Sequence, residues 1–287
     1  MRLGVVGMMP RSMDEITAQH LAAIRDLNLT GVGIGLPGAE MEGVSADTVA
    51  RTRQLFADEG MDIAQFNIGF GGCLFDPDAA VRNGLVAQIS NGLALADRLG
   101  AHVSLIRTGS LNPTGSYHPA RANHAPECQD RLVDTLGMIA KTAEAVGQTV
   151  VIETHVLTLM NSPEINVEIL RTVGSERLKV VMDYVNHFQA LHQVYDSVAR
   201  LNHIYDVMGP FSAIAHCKDI SVNNGFVTHF SEEIPGEGEL DMATALRRWH
   251  ELYPDGYMML EHLPTEQYPL ASRNTHRILA EAKIPVH

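Results

Sequence analysis

The sequence predicts an α/β protein with the fold of a (β/α)8 barrel, forming a single domain over residues 1–287. Short apolar runs alternate eight times with longer stretches of helical period. No linker rich in Gly, Ser or Pro divides the chain, and α/β barrels of about 250 residues commonly form one domain. The turn after the first run, Val6–Pro10, lacks the glycine-rich phosphate pattern that a doubly wound open sheet would need.

Each of the eight apolar runs is predicted to be a strand. The runs are short and rich in Val and Ile, as expected where both faces of a parallel strand are buried. In chain order the predicted strands are Leu3–Gly7, Gly31–Gly35, Asp62–Ile68, His102–Arg107, Thr149–Thr154, Leu178–Tyr184, Phe211–Lys218 and Tyr257–Glu261.

A helix is predicted after every strand. Asp14 and Ser45 stand where N-caps are expected, Ser162 is followed by a proline at the first turn, and Gly60 and Gly100 close helices. In chain order the predicted helices are Met13–Leu27, Ser45–Glu59, Pro77–Leu99, Pro126–Val146, Ser162–Val173, Gln193–Met208, Met242–Leu252 and Gln267–Ala282.

Composition and charge restrict the partners of the chain. Hydrophobic residues make up 45% and charged residues 19%, which is ordinary for a globular protein, and the net charge is −13. Negative charge repels phosphate backbones and anionic lipid, so we expect neither nucleic acid nor a membrane surface as partner. The charge does not decide between a monomer and a homo-oligomer.

The spacing of the cysteines and the lengths of the apolar runs predict where in the cell the protein is located. The three cysteines are far apart, which argues against a disulfide framework and against a paired-cysteine zinc site. The apolar run at residues 1–7 is too short for a signal peptide, and no run reaches about 18 apolar residues. We therefore expect a cytoplasmic protein without a membrane span.

Two long loops follow predicted strands, where barrels build their sites. One covers Thr108–Ala125 and the other Asp219–Asp241. The second loop contains Asn223-Asn224-Gly225, a sequence typical of a hairpin turn.

Four consecutive predicted strands each end in one ionisable residue. These strand-end residues are Glu153, Asp183, His216 and Glu261. One such carboxylate could simply cap a strand or pair with a Lys or Arg. Three carboxylates converging at one rim would repel each other, and a divalent cation relieves that repulsion. Three carboxylates and one imidazole suit Mn²⁺, Mg²⁺ or Co²⁺ better than a thiolate-seeking ion.

The ordered set of strand-end motifs resembles a known family. The motifs are Ile152-Glu153, Met182-Asp183, His216-Cys217-Lys218-Asp219, Gly236-Glu237-Gly238-Glu239-Leu240-Asp241 and Leu260-Glu261. They resemble the xylose-isomerase-like TIM-barrel family, and within it the sugar isomerases and epimerases of the tagatose-3-epimerase type. The motifs lie within residues 150–262, and the first half of the chain matches only in its order of strands and helices.

This resemblance implies an activity and a cofactor. It implies one divalent metal ion, preferably Mn²⁺, bound by all four strand-end residues, and a sugar or keto-polyol as substrate. Glu153 and Glu261 would also be the catalytic acid and base. One glutamate would remove a proton next to a carbonyl and the other would return it to the opposite face. The ion would stabilise the enediolate between these steps.

Further residues are candidates for binding the substrate. They are His155, Asn186, Arg107, Lys218, Asn67 and His229. The family usually has a histidine three residues after the strand-six aspartate, where this chain has Asn186 followed by His187. Asn186 can hydrogen-bond a hydroxyl but cannot accept a proton as a histidine can. Glu237, between two glycines, is expected to orient Lys218.

Three alternative functions are open to such a barrel. The same proton abstraction could expel a group from the neighbouring carbon, which would make the protein a metal-dependent lyase, a dehydratase or an enzyme that eliminates an aglycone from a keto-sugar. A DNA-repair endonuclease would need several zinc ions and a cationic groove, and Asn186 and the net charge of −13 argue against it. A noncatalytic sugar-binding barrel would not need both glutamates.

Overall fold

Eight parallel strands close into a barrel in the computed structural model, which describes residues 1–287. The barrel strands are β1 Arg2–Val6, β2 Gly31–Pro37, β3 Asp62–Gly69, β4 Val103–Arg107, β5 Val150–Glu153, β6 Leu178–Met182, β7 Ser212–Cys217 and β10 Tyr257–Leu260. Each strand pairs with the next along the chain, and β10 pairs with both β7 and β1. The (β/α)8 prediction is confirmed.

Ten α-helices lie between and after the strands. They are α1 Ala18–Arg25, α2 Gly38–Met41, α3 Ala46–Asp58, α4 Ala79–Leu99, α5 Pro126–Val146, α6 Pro163–Val173, α7 Leu191–Tyr195, α8 Ser197–Met208, α9 Met242–Leu252 and α10 Tyr268–Glu281. The short helix α2 was not predicted. The helix predicted over Gln193–Met208 is two helices, because the backbone of Asp196 (φ −116°, ψ 54°) is not helical.

The helix ends follow the predicted capping in part. The Ser45 hydroxyl accepts a hydrogen bond from the Thr48 amide at 3.0 Å, and Gly100 ends α4 with a positive φ of 74°. The prediction for Asp14 is wrong. Asp14 lies inside a 3₁₀ turn that Ser12 caps, and α1 begins only after this turn.

The barrel interior contains a cluster of apolar side chains below the carboxyl ends of the strands. These side chains belong to Ala64, Val103, Leu105, Val151, Val181, Ile214, Tyr257 and Met259. Side chains alternate between the two faces of a strand, so the residue two positions further along faces the same interior. For Val151, Val181, Ile214 and Met259, that residue is a member of the predicted strand-end set.

A small antiparallel hairpin follows β7. Its strands are β8 Asp219–Val222 and β9 Phe230–Glu233, and its turn contains the predicted Asn223-Asn224-Gly225 sequence. At its tip Phe226 is fully exposed. The helices of the chain include none with the length and apolar character that a membrane crossing requires.

Candidate active site

The strand-end residues Glu153, Asp183, His216 and Glu261 form one compact group, hereafter the strand-end cluster. Each offers a ligand atom, these atoms all lie within 4.8 Å of one another, and all four residues are buried. They lie at or next to the carboxyl ends of β5, β6, β7 and β10, which are four neighbouring strands of the barrel. The alternation of side chains along these strands therefore brings the cluster together at the carboxyl end of the barrel.

His216 lies at the centre of the cluster. Its Nδ1 atom is 2.9 Å from Oε1 of Glu261, 3.4 Å from Oδ2 of Asp183 and 3.9 Å from Oε1 of Glu153. Although burial opposes a charged imidazole, the surrounding carboxylates raise the pKa of His216 to about 10. The electrostatic field at this point therefore strongly favours positive charge.

Lys218 belongs to the same group of charges. Its Nζ atom is 2.7 Å from Oδ2 of Asp183 and 2.7 Å from Oε1 of Glu261, and its side chain is 2% exposed. Burial opposes the ammonium, but these carboxylates raise its pKa well above the ordinary value. In turn, His216 and Lys218 hold the pKa of Glu261 well below its usual range against the effect of burial.

A glutamine that the sequence analysis missed orients the central histidine. Oε1 of Gln65 lies 2.9 Å from Nε2 of His216, and the Gln65 amide donates to Oδ1 of Asn67 at 2.8 Å. Gln65 is 1% exposed. An amide placed between the apolar residues Ala64 and Phe66 was the available signal, since a buried polar group needs a partner.

Arg107, Tyr117 and His155 form the rim beside Glu153. Nε of Arg107 donates to Oε2 of Glu153, and the Arg107 guanidinium lies over the Tyr117 ring at 4.5 Å from its centroid. The same ring stacks on His155, with centroids 5.9 Å apart. Burial lowers the pKa of His155. The loop after β4 thus supplies the aromatic contact that holds Arg107 near Glu153.

Asn186, His187 and His229 lie at different distances from the strand-end cluster. Asn186 is close to the cluster and donates from Nδ2 to Oδ2 of Asp183 at 2.8 Å. His187 is fully buried outside the cluster and shares a hydrogen bond with Thr154. His229 is exposed in the turn of the hairpin, and only its backbone carbonyl forms a hydrogen bond there, from the Asn223 amide.

The hairpin adds an outer layer of charge. Nδ1 of His262 lies 3.1 Å from both carboxylate oxygens of Glu232, and this contact raises the His262 pKa. Oε1 of Glu232 is 3.5 Å from Nζ of Lys218. Glu237 does not contact Lys218 as expected. It accepts a hydrogen bond from Asn274 at 2.8 Å instead, because the Gly-Glu-Gly turn directs it toward α10.

One carboxylate fixes the loop that contains this turn. Oδ2 of Asp219 accepts hydrogen bonds from the amides of Gly236 and Gly238, and Oδ1 accepts from those of Ile220 and Leu240, at 2.9–3.1 Å. Asp219 directly follows Lys218, so the loop is attached to the chain beside the cluster.

The composition of the cluster fits a divalent metal ion. Three carboxylates and one imidazole are the donors that oxygen-preferring divalent ions accept. Oδ1 of Asp183 is buried without a hydrogen-bond partner, and Oε1 of Glu261 lacks a hydrogen bond of good geometry although two cationic groups lie near it. Buried oxygens left in this state are the atoms that a metal ion would satisfy.

A groove opens beside the cluster at the carboxyl end of β1, β2 and β3. It has a volume of about 1270 Å³, and Asn67 and Arg107 line its inner end. Arg107 contacts Glu153 directly, and Asn67 is connected to His216 through Gln65. The groove therefore adjoins the cluster through these two side chains, and none of the four cluster residues lines it.

Comparisons with known proteins identify similar chains. A family model described as a xylose isomerase-like TIM barrel matches residues 21–281. No curated protein matches the sequence significantly.

Solved structures with the same fold are numerous, at low sequence identity. A D-tagatose 3-epimerase-like protein has a TM-score of 0.74 at 19% identity, covering 99% of this chain and 98% of its own. L-ribulose 3-epimerase has a TM-score of 0.74 at 15% identity, covering 98% and 94%. A xylose isomerase-like TIM barrel protein from Mycobacterium smegmatis in complex with magnesium has a TM-score of 0.69 at 17% identity, covering 92% and 87%.

Proposed function

The chain belongs to the xylose isomerase-like TIM barrel family, and from its cluster we propose a divalent-metal-dependent sugar isomerase or epimerase. The reaction we propose is the movement of a proton next to a carbonyl group. Its substrate would be a small sugar or keto-polyol.

The observation that carries this proposal is the position of the two glutamates. Along the barrel the cluster strands follow in the order β5, β6, β7, β10, so Glu153 and Glu261 stand at the two ends of an arc. Asp183 and His216 lie between them. A substrate carbon held over the middle of the arc would have one carboxylate on each side, which suits removal of a proton from one face and return to the other.

The chain's own residues supply the proton transfer. One glutamate carboxylate takes the proton from the carbon next to the carbonyl, and the other carboxyl group donates a proton to the opposite face. The number of protons on the substrate is then unchanged, and the two glutamates exchange protonation states. A bound divalent ion, which we expect to be Mn²⁺ before Mg²⁺ or Co²⁺, would supply Lewis acidity that makes that proton easier to remove.

Other side chains would hold the substrate in this position. Arg107 and Asn67 line the inner end of the groove, and Lys218 and Asn186 contact Asp183. All four carry donors for sugar oxygens. His155 stacks at the rim and would act there as a donor, while His229 would reach a substrate only from the hairpin.

The test is proton exchange in D₂O. Wild-type protein loaded with Mn²⁺ would be incubated with ketohexoses, and loss of the NMR signal of the proton next to the carbonyl would be followed. Glu153→Gln and Glu261→Gln should each slow exchange by about 10²–10⁴-fold while the fold is retained. The control is Glu15→Gln, at an exposed position away from the cluster. Exchange at the wild-type rate in either cluster variant would contradict the two-glutamate mechanism.

The lyase alternative gains no support. The similar structures include an L-ribulose 3-epimerase, and His155 stacks on Tyr117 at the rim rather than lying among the cluster residues. We therefore do not propose elimination, and the same NMR spectra would reveal it through new olefinic signals.

A further inference from the structure

The groove beside the cluster is large for the substrate proposed so far. Sites that enclose most of a drug-sized ligand measure about 300–1,000 Å³. This groove measures about 1270 Å³. A free hexose is smaller than a drug-sized ligand, so a single sugar ring at the inner end would leave most of the groove unfilled.

Two segments of the chain build the outer part of the groove. One segment is residues 9–14, which include the first two residues of the 3₁₀ turn before α1. The second segment includes Ala39 and Glu40 of α2 and the residues that lead into α3, where the Thr48 hydroxyl donates to Asp14 at 3.2 Å and joins the two segments. The unpredicted helix α2 therefore extends the cavity away from the cluster.

The lining of this outer part has polar groups for the hydroxyls of a sugar ring and apolar surface for its C–H face. The exposed Arg11 offers hydrogen-bond donors. The hydroxyl protons of Ser45 and Thr48 are donated to Thr48 and Asp14, so these two residues offer acceptor lone pairs. Met9 and Val44 offer apolar surface for the C–H face of a ring. A charged phosphate site would instead need several cationic side chains, and Arg11 shares this part of the groove with the carboxylates of two acidic residues, Asp14 and Glu40.

We propose that the substrate is a keto-sugar linked to a second sugar ring. The reacting ring would lie at the Arg107 and Asn67 end, and the second ring would occupy the outer groove between α2 and residues 9–14. The placement of the reacting ring rests on the proposed function, whereas the presence of a second-ring site rests on the size and lining of the groove.

The test compares a ketohexose with keto-disaccharides that contain it. D-Fructose would be titrated into Mn²⁺-loaded protein by calorimetry beside isomaltulose, maltulose and leucrose, in which glucose is joined to different hydroxyls of fructose. At least one disaccharide should bind tenfold or more tightly than fructose. If none binds more tightly than fructose, the second-ring site is wrong.

A pair of variants locates the second ring. Ala39→Trp places a large side chain in the outer groove and should reduce the preference for the disaccharide over fructose at least tenfold. Ala50→Trp is the control, because Ala50 is exposed on α3 outside the groove, and it should leave the preference unchanged. An unchanged preference in Ala39→Trp would overturn the assignment of the ring to this site.

Proton exchange on the same sugars separates the two proposals. If a disaccharide binds more tightly and no sugar exchanges its proton, the catalytic proposal fails and the second-ring site stands. If fructose and all the disaccharides exchange with equal kcat/KM and bind equally, the catalytic proposal stands and the second-ring site fails.

Discussion

Gln65 holds the ring of His216 in one orientation, with Oε1 of the glutamine 2.9 Å from Nε2 of the histidine. The Gln65 amide nitrogen is itself engaged with Asn67, so its oxygen is the atom that faces the imidazole. The Nε2–H group therefore donates to Gln65, and Nδ1 is directed at the carboxylates. An acceptor on the second nitrogen is the usual way in which a metal-binding histidine is oriented.

Gln65→Leu should weaken metal binding without removing a ligand. Loss of such an orienting partner commonly lowers metal affinity about 10–100-fold. Calorimetric titration with Mn²⁺ would measure the change, with Gln54→Leu as the control because Gln54 is exposed on α3. Wild-type affinity in Gln65→Leu would show that the hydrogen bond does not orient His216.

Gly238→Ala should destabilise the protein. A Cβ atom at this position would lie 2.5 Å from the carbonyl oxygen of Ile220 and closer still to Oδ1 of Asp219. Neither oxygen can withdraw easily, because one is backbone and the other accepts hydrogen bonds from the loop. We expect a loss of about 1–3 kcal/mol in the free energy of unfolding, measured by urea denaturation.

Gly137→Ala is the matched control, and it should raise the free energy of unfolding instead of lowering it. Gly137 lies inside α5, and beyond its chain neighbours and the backbone of that helix no atom would lie within 4 Å of its added Cβ. Alanine removes conformational freedom from the unfolded chain there and should stabilise by about 0.4–1 kcal/mol. Equal effects of the two substitutions would contradict the steric argument at Gly238.

His187 should make stability depend on pH. Burial of its ring lowers the pKa from 6.5 to about 4, so the unfolded chain binds a proton between these values that the folded protein does not. The contribution of the neutral His187 ring to the free energy of unfolding is fully present above pH 6.5. It is lost as the pH falls toward 4, and the loss is about 3 kcal/mol. Urea denaturation at pH 7 and pH 4.5 would measure it.

His187→Gln removes the titrating group and can retain a hydrogen bond to Thr154. The variant should therefore lose less stability than the wild type between pH 7 and pH 4.5. His192→Gln, at an exposed position on α7, should keep the wild-type dependence. The same loss in His187→Gln as in the wild type would mean that other groups cause it.

The barrel and the cluster were predictable because they depend on local patterns. Strands buried on both faces are uniformly apolar, so the polar residue that ends such a run is conspicuous, as at Glu153 and Asp183. The order of the strands along the chain then determines which ends are neighbours. The same reasoning predicted the hairpin turn at Asn223–Gly225, since that turn depends on adjacent residues.

The features that were missed depend on contacts between distant segments or on small changes in the backbone. Gln65 and His216 are 151 positions apart, and no local pattern pairs them. The break at Asp196 leaves the helical period of the flanking residues intact. Tyr117 lies in a long loop without periodicity, so its contact with Arg107 was not predictable from spacing.

The cluster and the groove come from different parts of the chain. Every member of the strand-end cluster comes from residues 153–261, whereas the groove is built from residues 6–69 and Arg107. Mutations in the groove walls other than Asn67 and Arg107, which contact the cluster or its partner Gln65, can therefore accumulate without displacing a carboxylate of the cluster. If the proposed function holds, a library confined to residues 9–14 and 39–48 would vary the choice of sugar while the strand-end cluster stays unchanged.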